Sequence, residues 1–399
     1  MAKRDGSDLD IIFVISSLGT GGTEGQLALL ATAMAKSGRR VAVYTLGDGR
    51  VRPALEKNGI EVIVGPAWRG AKNFIGVPFM ALDLFFLMLR RRPEIAHYFL
   101  PAAYLVGAPL ALLARVPVRI MSRRSLNAYQ GNGFIRAVER CWHRAMHAVL
   151  GNSRSVICEL VAEGVAADRL GLIYNGIDTA RFSAAGAREP SRAKLGLAPA
   201  ALTMCIVANL IPYKAHDDLI EALALAAPSL PDGWRLLVAG RDDGIGEALR
   251  AQARRLSLHD NIVFLGSRDD IENILNASDI GILCSRTEGF SNSILEGMAA
   301  GLPMIVTGVG GNAEAVIDGA TGLVVPANDP RRLSMAIVKL AGDPALRAAL
   351  GKSGRERVTQ QFGLDRFVES HQRLYQALVA GKRPSDVANI SIEPAASAS

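Results

Sequence analysis

The chain alternates short apolar runs with longer stretches that mix Ala and Leu with charged residues. The runs at 10–16, 41–46, 60–64, 95–99, 118–121, 148–151 and 171–175 are rich in Val, Ile and Leu and are bounded by Gly, Asn, Ser or Pro. Such runs read as strands buried on both faces, as in a parallel sheet. A second series follows at 203–208, 235–240, 261–265, 279–284, 304–307 and 322–326. Helical stretches separate them, among them 26–36, 77–91 and 331–362, and a last amphipathic helix is predicted at 364–379. This alternation, twice over, predicts an α/β chain with two doubly wound parallel sheets. Right-handed crossovers put the loops that follow the strands on one edge of each sheet, where ligands of such sheets bind.

A length of 399 residues is enough for two domains. The first is expected over 1–182 and the second over 183–362, with 183–199, rich in Ala, Pro and Arg, as the link between them. Residues 381–399, with their Pro, Ser and Ala, are expected to be disordered. The apolar share of 49% and charged share of 21% fit a globular chain. Cys141, Cys158, Cys205 and Cys284 lie far apart beside apolar runs, and they read as buried free thiols in a reducing cytosol. Residues 1–10 are charged and lack an apolar core, so no signal peptide is read. No run reaches the roughly 18–20 apolar residues of a spanning helix.

Charge is uneven. Residues 1–182 hold 23 Lys and Arg against 14 Asp and Glu, a net +9, whereas the remainder nets −2. A basic first half predicts an anionic partner. The basic residues are dispersed and no nucleic-acid motif accompanies them, which favours an anionic membrane or a phosphate-bearing acceptor over nucleic acid. The stretch 77–91 is apolar on nearly every face and runs into Arg90, Arg91 and Arg92. It reads as a buried sheet-packing helix or as one that dips into a bilayer with its arginines at the headgroups.

Two loops carry candidate chemistry. After the first strand, 17–24 is Gly-rich, with Gly19, Gly21 and Gly22, and opens a helix. It is a phosphate or close-approach loop, or a tight turn. It is neither a dinucleotide fingerprint, because Glu24 stands where a third small residue belongs, nor a P-loop, because no Gly-Lys-Ser/Thr follows. The second loop follows the apolar run 279–284. It holds Glu288, Gly289, Phe290, Ser291 and Asn292, and then a helix that stops at Gly301. Backbone N–H groups and a helix dipole at its start suit phosphate, while the carboxylates of Glu288 and Glu296 suit vicinal hydroxyls. A nucleotide sugar presents both. Ser293 and Glu296 also fit a capping box, in which Glu296 would only reach back to its own helix start.

Glu288-Gly-Phe-Ser-Asn-Ser-Ile-Leu-Glu296, continued by Gly-Met-Ala-Ala-Gly-Leu-Pro, resembles the E-x7-E signature of the retaining family 4 glycosyltransferases. The resemblance runs from about Ile11 to about Tyr375. It implies the GT-B fold, two facing Rossmann-like domains with a deep cleft, and a C-terminal helix at 363–380 that returns to the first domain. It implies that the first domain binds acceptor and the second a nucleotide-sugar donor. In such a site Gly21 and Gly22 leave room for the diphosphate, Lys214 neutralises it, the loop of Arg268 meets the base, Glu288 binds sugar hydroxyls and Glu296 the ribose diol. Gly289, Phe290, Ser291 and Asn292 complete the donor side. Asn209 replaces an arginine usual in the family, so Lys214 should matter more. His97 reads by itself as a satisfied core histidine; the resemblance makes it a candidate catalytic and acceptor-facing residue. Arg123 and Arg124 stand where many relatives have His-Asp; they would suit an acceptor phosphate or face solvent. The chain calls for no cofactor and no metal. The expected function is retaining transfer of a sugar, from a UDP-sugar in the first instance, to a lipid-linked or polysaccharide acceptor in cell-surface glycan synthesis. The expected setting is the cytoplasm, peripheral on the inner face of the membrane. A nucleotide-sugar epimerase or hydrolase, or a non-catalytic sugar-binding module, are the alternatives.

Overall fold

The computed structural model describes residues 8–19, 21–66, 76–126, 133–183 and 188–390. It divides into two compact units, Met1–Gly176 with Asp365–Ser399, and Ile177–Leu364.

The first unit is built on seven parallel strands: β1 Ile11–Ile15, β2 Val41–Thr45, β3 Glu61–Val64, β4 Ile95–Phe99, β5 Val118–Arg123, β6 Ala148–Gly151 and β7 Leu170–Leu172. Their order is β3-β2-β1-β4-β5-β6-β7. All residues of β1, β2 and β4 are buried. Both faces of the sheet are covered, which is why these runs are apolar throughout rather than alternating. Helix Gly22–Lys36 buries Leu27, Leu30, Ala31 and Met34. Helix Pro101–Leu113 starts with its proline at the first turn, where a missing N–H costs nothing. The helix Leu364–Val379 belongs to this unit and buries Phe367, His371, Leu374 and Tyr375.

The chain after that helix differs from the expected disordered tail. A 3₁₀ turn spans Pro384–Asp386, and the Leu172 N–H donates to the Ile390 carbonyl at 3.0 Å. Val387 and Ile390 are buried. Two apolar side chains in a Pro- and Ser-rich segment are enough to seal the edge beside β7. The rest of the expected tail, 391–399, lies outside the described residues.

The second unit has six parallel strands: β8 Thr203–Val207, β9 Arg235–Ala239, β10 Ile262–Gly266, β11 Ile280–Leu283, β12 Met304–Thr307 and β13 Gly322–Val325. They run in the order β10-β9-β8-β11-β12-β13. Its two ends meet: the Ile177 N–H donates to the Phe362 carbonyl and the Leu364 N–H to the Ile177 carbonyl, each at 2.9 Å. The expected linker is partly structure. Arg188–Lys194 is a helix, and the buried Arg192 guanidinium donates to the carbonyls of Ala277 and Ala198. Residues 184–187 of that linker lie outside the described residues. The expected helical stretch 331–362 is two helices, Pro330–Gly342 and Pro344–Phe362, split where Asp343 caps the second.

Cys205 and Cys284 are buried as expected, but Cys141 and Cys158 are exposed on helix surfaces. Among the described residues no helix is long and apolar enough to cross a membrane.

Candidate functional site

In the second sheet the strand order reverses between β8 and β11. The crevice past their C-terminal ends is the expected ligand position for such a sheet. The loop after β8 makes a 3₁₀ turn, Pro212–Lys214, and passes through Ala215 at φ +55° into helix His216–Ala226. The loop after β11 carries Ser285 to Ser291. These two loops bring Lys214 and Glu288 together in an ion pair at Glu288 Oε1, and the Ser285 hydroxyl donates to the same oxygen at 2.6 Å. Both side chains are mostly buried.

Arg286 fastens the two loops. Its backbone N–H donates to the Tyr213 carbonyl at 2.7 Å, and its guanidinium donates to the Pro212 carbonyl at 3.0 Å. The same guanidinium reaches Asp217 and Asp218, each at 2.8 Å, and Asn328 at 2.9 Å. A third loop, after β12, closes the arrangement. Gly310 has φ +51° and presses on the Glu288 carbonyl, while the Gly311 N–H donates to the Gly289 carbonyl at 2.8 Å.

Helix Asn292–Ala299 begins beside Glu288, with Ser291 extended as its N-cap. The Ser291 hydroxyl bonds the Ser293 hydroxyl at 3.0 Å and caps no backbone N–H. This start removes the capping-box reading: Ser293 lies inside the helix, so Glu296 is not at the position from which it could reach the cap. Glu296 instead has its carboxyl pushed up to about 6 by burial, with Arg181 pulling it down and Glu272 adding to the rise. Arg181 and Glu272 pair with each other at 2.9 Å.

The remaining donor-side candidates are less available. Asn209, just past β8, accepts from the Arg241 N–H at 3.1 Å and so ties its loop to the one after β9. Arg268, past β10, is forked onto Asp270 two residues on, at 2.8 Å on both oxygens. Phe290 is buried, its ring 5.3 Å from that of Phe362. Ser285 and Arg286 belong to no motif, and Gly310 stands out in sequence only as part of the glycine run after β12. Their signal is position, since each directly follows a strand end or belongs to the Gly308–Gly311 run.

In the first unit Gly21 caps helix Gly22–Lys36, and a Cβ on Gly21 would collide with the Glu24 carboxylate. Glu24 folds back over the loop and accepts from the Ser17 hydroxyl at 3.1 Å. The positive helix end therefore already has an acidic neighbour.

His97, expected as a catalytic and acceptor-facing candidate, is a core residue. It is fully buried on β4, with Nδ1 2.7 Å from the Tyr375 hydroxyl and Nε2 2.7 Å from the Ser122 hydroxyl. Burial, with His371 and Arg124 nearby, holds its pKa well below the ordinary range. An imidazole with no exposed atom and both nitrogens engaged cannot touch an acceptor. Arg123 likewise does not face a ligand or solvent: it is buried between Glu139 and Glu163, at 2.6 Å to each. Arg124 lies partly open, donates to Asn175 at 2.7 Å, and stacks over Phe99 at 5.1 Å. Burial brings its pKa down to about 10. Asn152, Ile173 and His371 lie around it, with no room between them for a ligand.

Among the described residues no group of three His, Cys, Asp or Glu could hold a metal ion. Asp8 and Asp10, which stand in Asp-x-Asp spacing, pair instead with Arg91 at 2.7 Å and Arg40 at 2.6 Å.

Comparison with known proteins agrees with this architecture. Residues 187–357 match the family model for glycosyl transferases group 1, and residues 20–181 that for glycosyltransferase family 4. A D-inositol 3-phosphate glycosyltransferase of Streptomyces bingchenggensis is 30% identical over 60% of this chain and 54% of its own. The lipopolysaccharide core mannosyltransferase LpcC of Rhizobium leguminosarum is 29% identical over 74% of this chain and 81% of its own. The first curated relatives are matched over only about half to three fifths of their length. The structure of Anabaena Alr3699/HepE in complex with UDP has a TM-score of 0.81 at 23% identity, covering 91% of this chain and 98% of that one, and so shares the fold. With both units matched by models of one family, this chain belongs to the family 4 glycosyltransferases, with the GT-B fold.

Proposed function

We propose that this chain is a retaining, metal-independent glycosyltransferase that moves a sugar from a nucleotide sugar, a UDP-sugar first of all, to a lipid-linked or polysaccharide hydroxyl. The observation that carries the proposal is the Lys214–Glu288 pair at the reversal point of the second sheet, beside the start of helix Asn292–Ala299. As the glycosidic bond breaks, negative charge grows on the leaving diphosphate. Lys214 and the helix start supply fixed positive potential for that charge, which is electrostatic catalysis. Glu288 binds sugar hydroxyls and Glu296 the ribose diol. Ser285 and Arg286 hold the pair before any ligand arrives. The Anabaena structure is in complex with UDP, while a Corynebacterium glutamicum relative is named GDP-mannose-dependent, so the donor test spans both bases.

One observation favours a second reading. Glu296 has its carboxyl raised to about 6 while Glu288 faces an ammonium group, and two carboxyls in unlike surroundings suit an acid and a base. That would be an epimerase or hydrolase of nucleotide sugars. Calorimetry and turnover with UDP-, GDP-, ADP- and dTDP-sugars, with and without membrane-lipid extract, separate the readings. Extract-dependent nucleotide release that is lost in Glu288→Gln and Lys214→Ala supports the transferase. Release or epimerisation without acceptor supports the second reading. Binding to no nucleotide sugar overturns both.

A further inference from the structure

Helix Gly76–Arg91 has an inner face that the core explains, for Met80, Leu84 and Met88 are buried against the first sheet. Its outer face is apolar as well. Phe79 is 62% exposed, Leu82 52%, Phe86 61% and Leu89 41%. Steps of three, four and three residues place all four on one stripe. A continuous row of large exposed side chains differs from the single exposed leucines of ordinary surfaces and marks a contact face.

The surroundings of the stripe are basic. Arg90 and Arg92 are exposed at its C-terminal end, whereas Arg91 is taken up by Asp8 and Glu61. Helix Pro101–Leu113 packs beside it and ends in the exposed Leu112 and Leu113, followed by the exposed Arg115. Both helices join parallel strands and run antiparallel to them, so these two ends lie at the same edge of the sheet. The acidic residue of the outer helix, Asp83, accepts from the Tyr44 hydroxyl at 2.9 Å.

We propose that this stripe is a membrane-docking face. The helix lies in the plane of an anionic lipid surface, with Phe79, Leu82, Phe86 and Leu89 among the acyl chains and Arg90, Arg92 and Arg115 at the headgroups. Charge selects lipid over a second copy of this chain. Residues 1–182 carry a net +9, and a self-contact through the stripe would set arginine clusters against each other, whereas anionic headgroups complement them.

Flotation of the full chain with vesicles of phosphatidylglycerol and phosphatidylcholine tests this without any nucleotide sugar, so its failure is distinct from failure of the transferase reading. The chain should float with these vesicles, far less with pure phosphatidylcholine, and less at high salt. Phe79→Ser with Phe86→Ser should reduce partitioning by about tenfold or more. Arg90→Glu with Arg92→Glu should abolish the preference for anionic lipid. Circular dichroism and melting temperature should stay unchanged in both, because these side chains face outward. Met335→Ser, which removes an exposed apolar side chain of the second unit, should leave partitioning intact. Absence of flotation, or equal flotation of the double-serine variant, overturns the proposal. So does a dimer in light scattering that the double-serine variant converts to monomer.

Discussion

Gly310 sits against Glu288 so closely that a Cβ on Gly310 would fall inside the Glu288 carbonyl oxygen. Its φ of +51° is also in the left-handed region that favours glycine. Gly310→Ala therefore meets two obstacles, strain at its own backbone and displacement of the Glu288 loop. The expected outcome is a loss of about 1–3 kcal/mol in urea unfolding, with weakened nucleotide-sugar binding in calorimetry. Gly342→Ala is the control, since a Cβ there meets nothing. Equal effects from both substitutions would show that Glu288 does not depend on Gly310.

Arg286 reaches four acceptors: the Pro212 carbonyl, Asp217 and Asp218 at the start of the following helix, and Asn328 past β13. Arg286→Ala leaves Asp217 and Asp218 adjacent without their shared cation and frees the Lys214 turn. Activity is expected to drop by roughly ten- to a hundredfold in kcat/KM, with KM for the donor carrying much of the change. Arg286→Lys should rescue little, because an ammonium cannot reproduce the planar fork. Full rescue by lysine would mean that charge alone matters.

Lys214 and Glu288 were each legible as candidates because both sit in loops that directly follow apolar runs, which a doubly wound sheet puts on one edge; that they pair with each other was not. His97 was not legible in the same way. What satisfies its ring, Tyr375 and Ser122, is 278 and 25 residues away, and a histidine inside an apolar run looks the same whether it ends in a core or at a ligand. Arg123 and Arg124 are neighbours in one run, yet β5 turns the first into a buried pair of ion contacts and leaves the second partly open. The stretch 77–91 hid its outward stripe because apolarity on nearly every face has a commoner explanation in burial. The segment up to Ile390 was masked by its Pro and Ser content, since two anchoring side chains leave no periodic trace.

Arg123 tests the structural account against the acceptor role. Arg123→Ala strands the buried Glu139 and removes the guanidinium from Glu163, which also lies 3.3 Å from His143. Removing one member of a buried ion cluster costs about 3–5 kcal/mol. Chemical denaturation followed by fluorescence should show that loss. A change in acceptor KM with stability held within about 1 kcal/mol of the parent would return Arg123 to the acceptor side.

Glu296 links the site to pH. Its carboxyl is raised from 4.5 to about 6 by burial, so the folded state holds a proton that the unfolded state has already released. This protonation favours folding fully below about pH 4.5, and the contribution is lost as pH rises through about 6. Glu296→Gln stays neutral and removes that dependence. At pH 4.5 the variant and the parent should be close in stability; by pH 7.5 the variant should be more stable by about 2 kcal/mol, the free-energy equivalent of the shift. Urea midpoints across this range measure the gap. Activity should move the opposite way: if the ionised carboxylate holds the ribose diol, donor KM in the parent improves as pH rises through 6, and the glutamine variant shows no such inflection. A stability gap that is constant with pH would place the Glu296 carboxyl in an ordinary solvated setting.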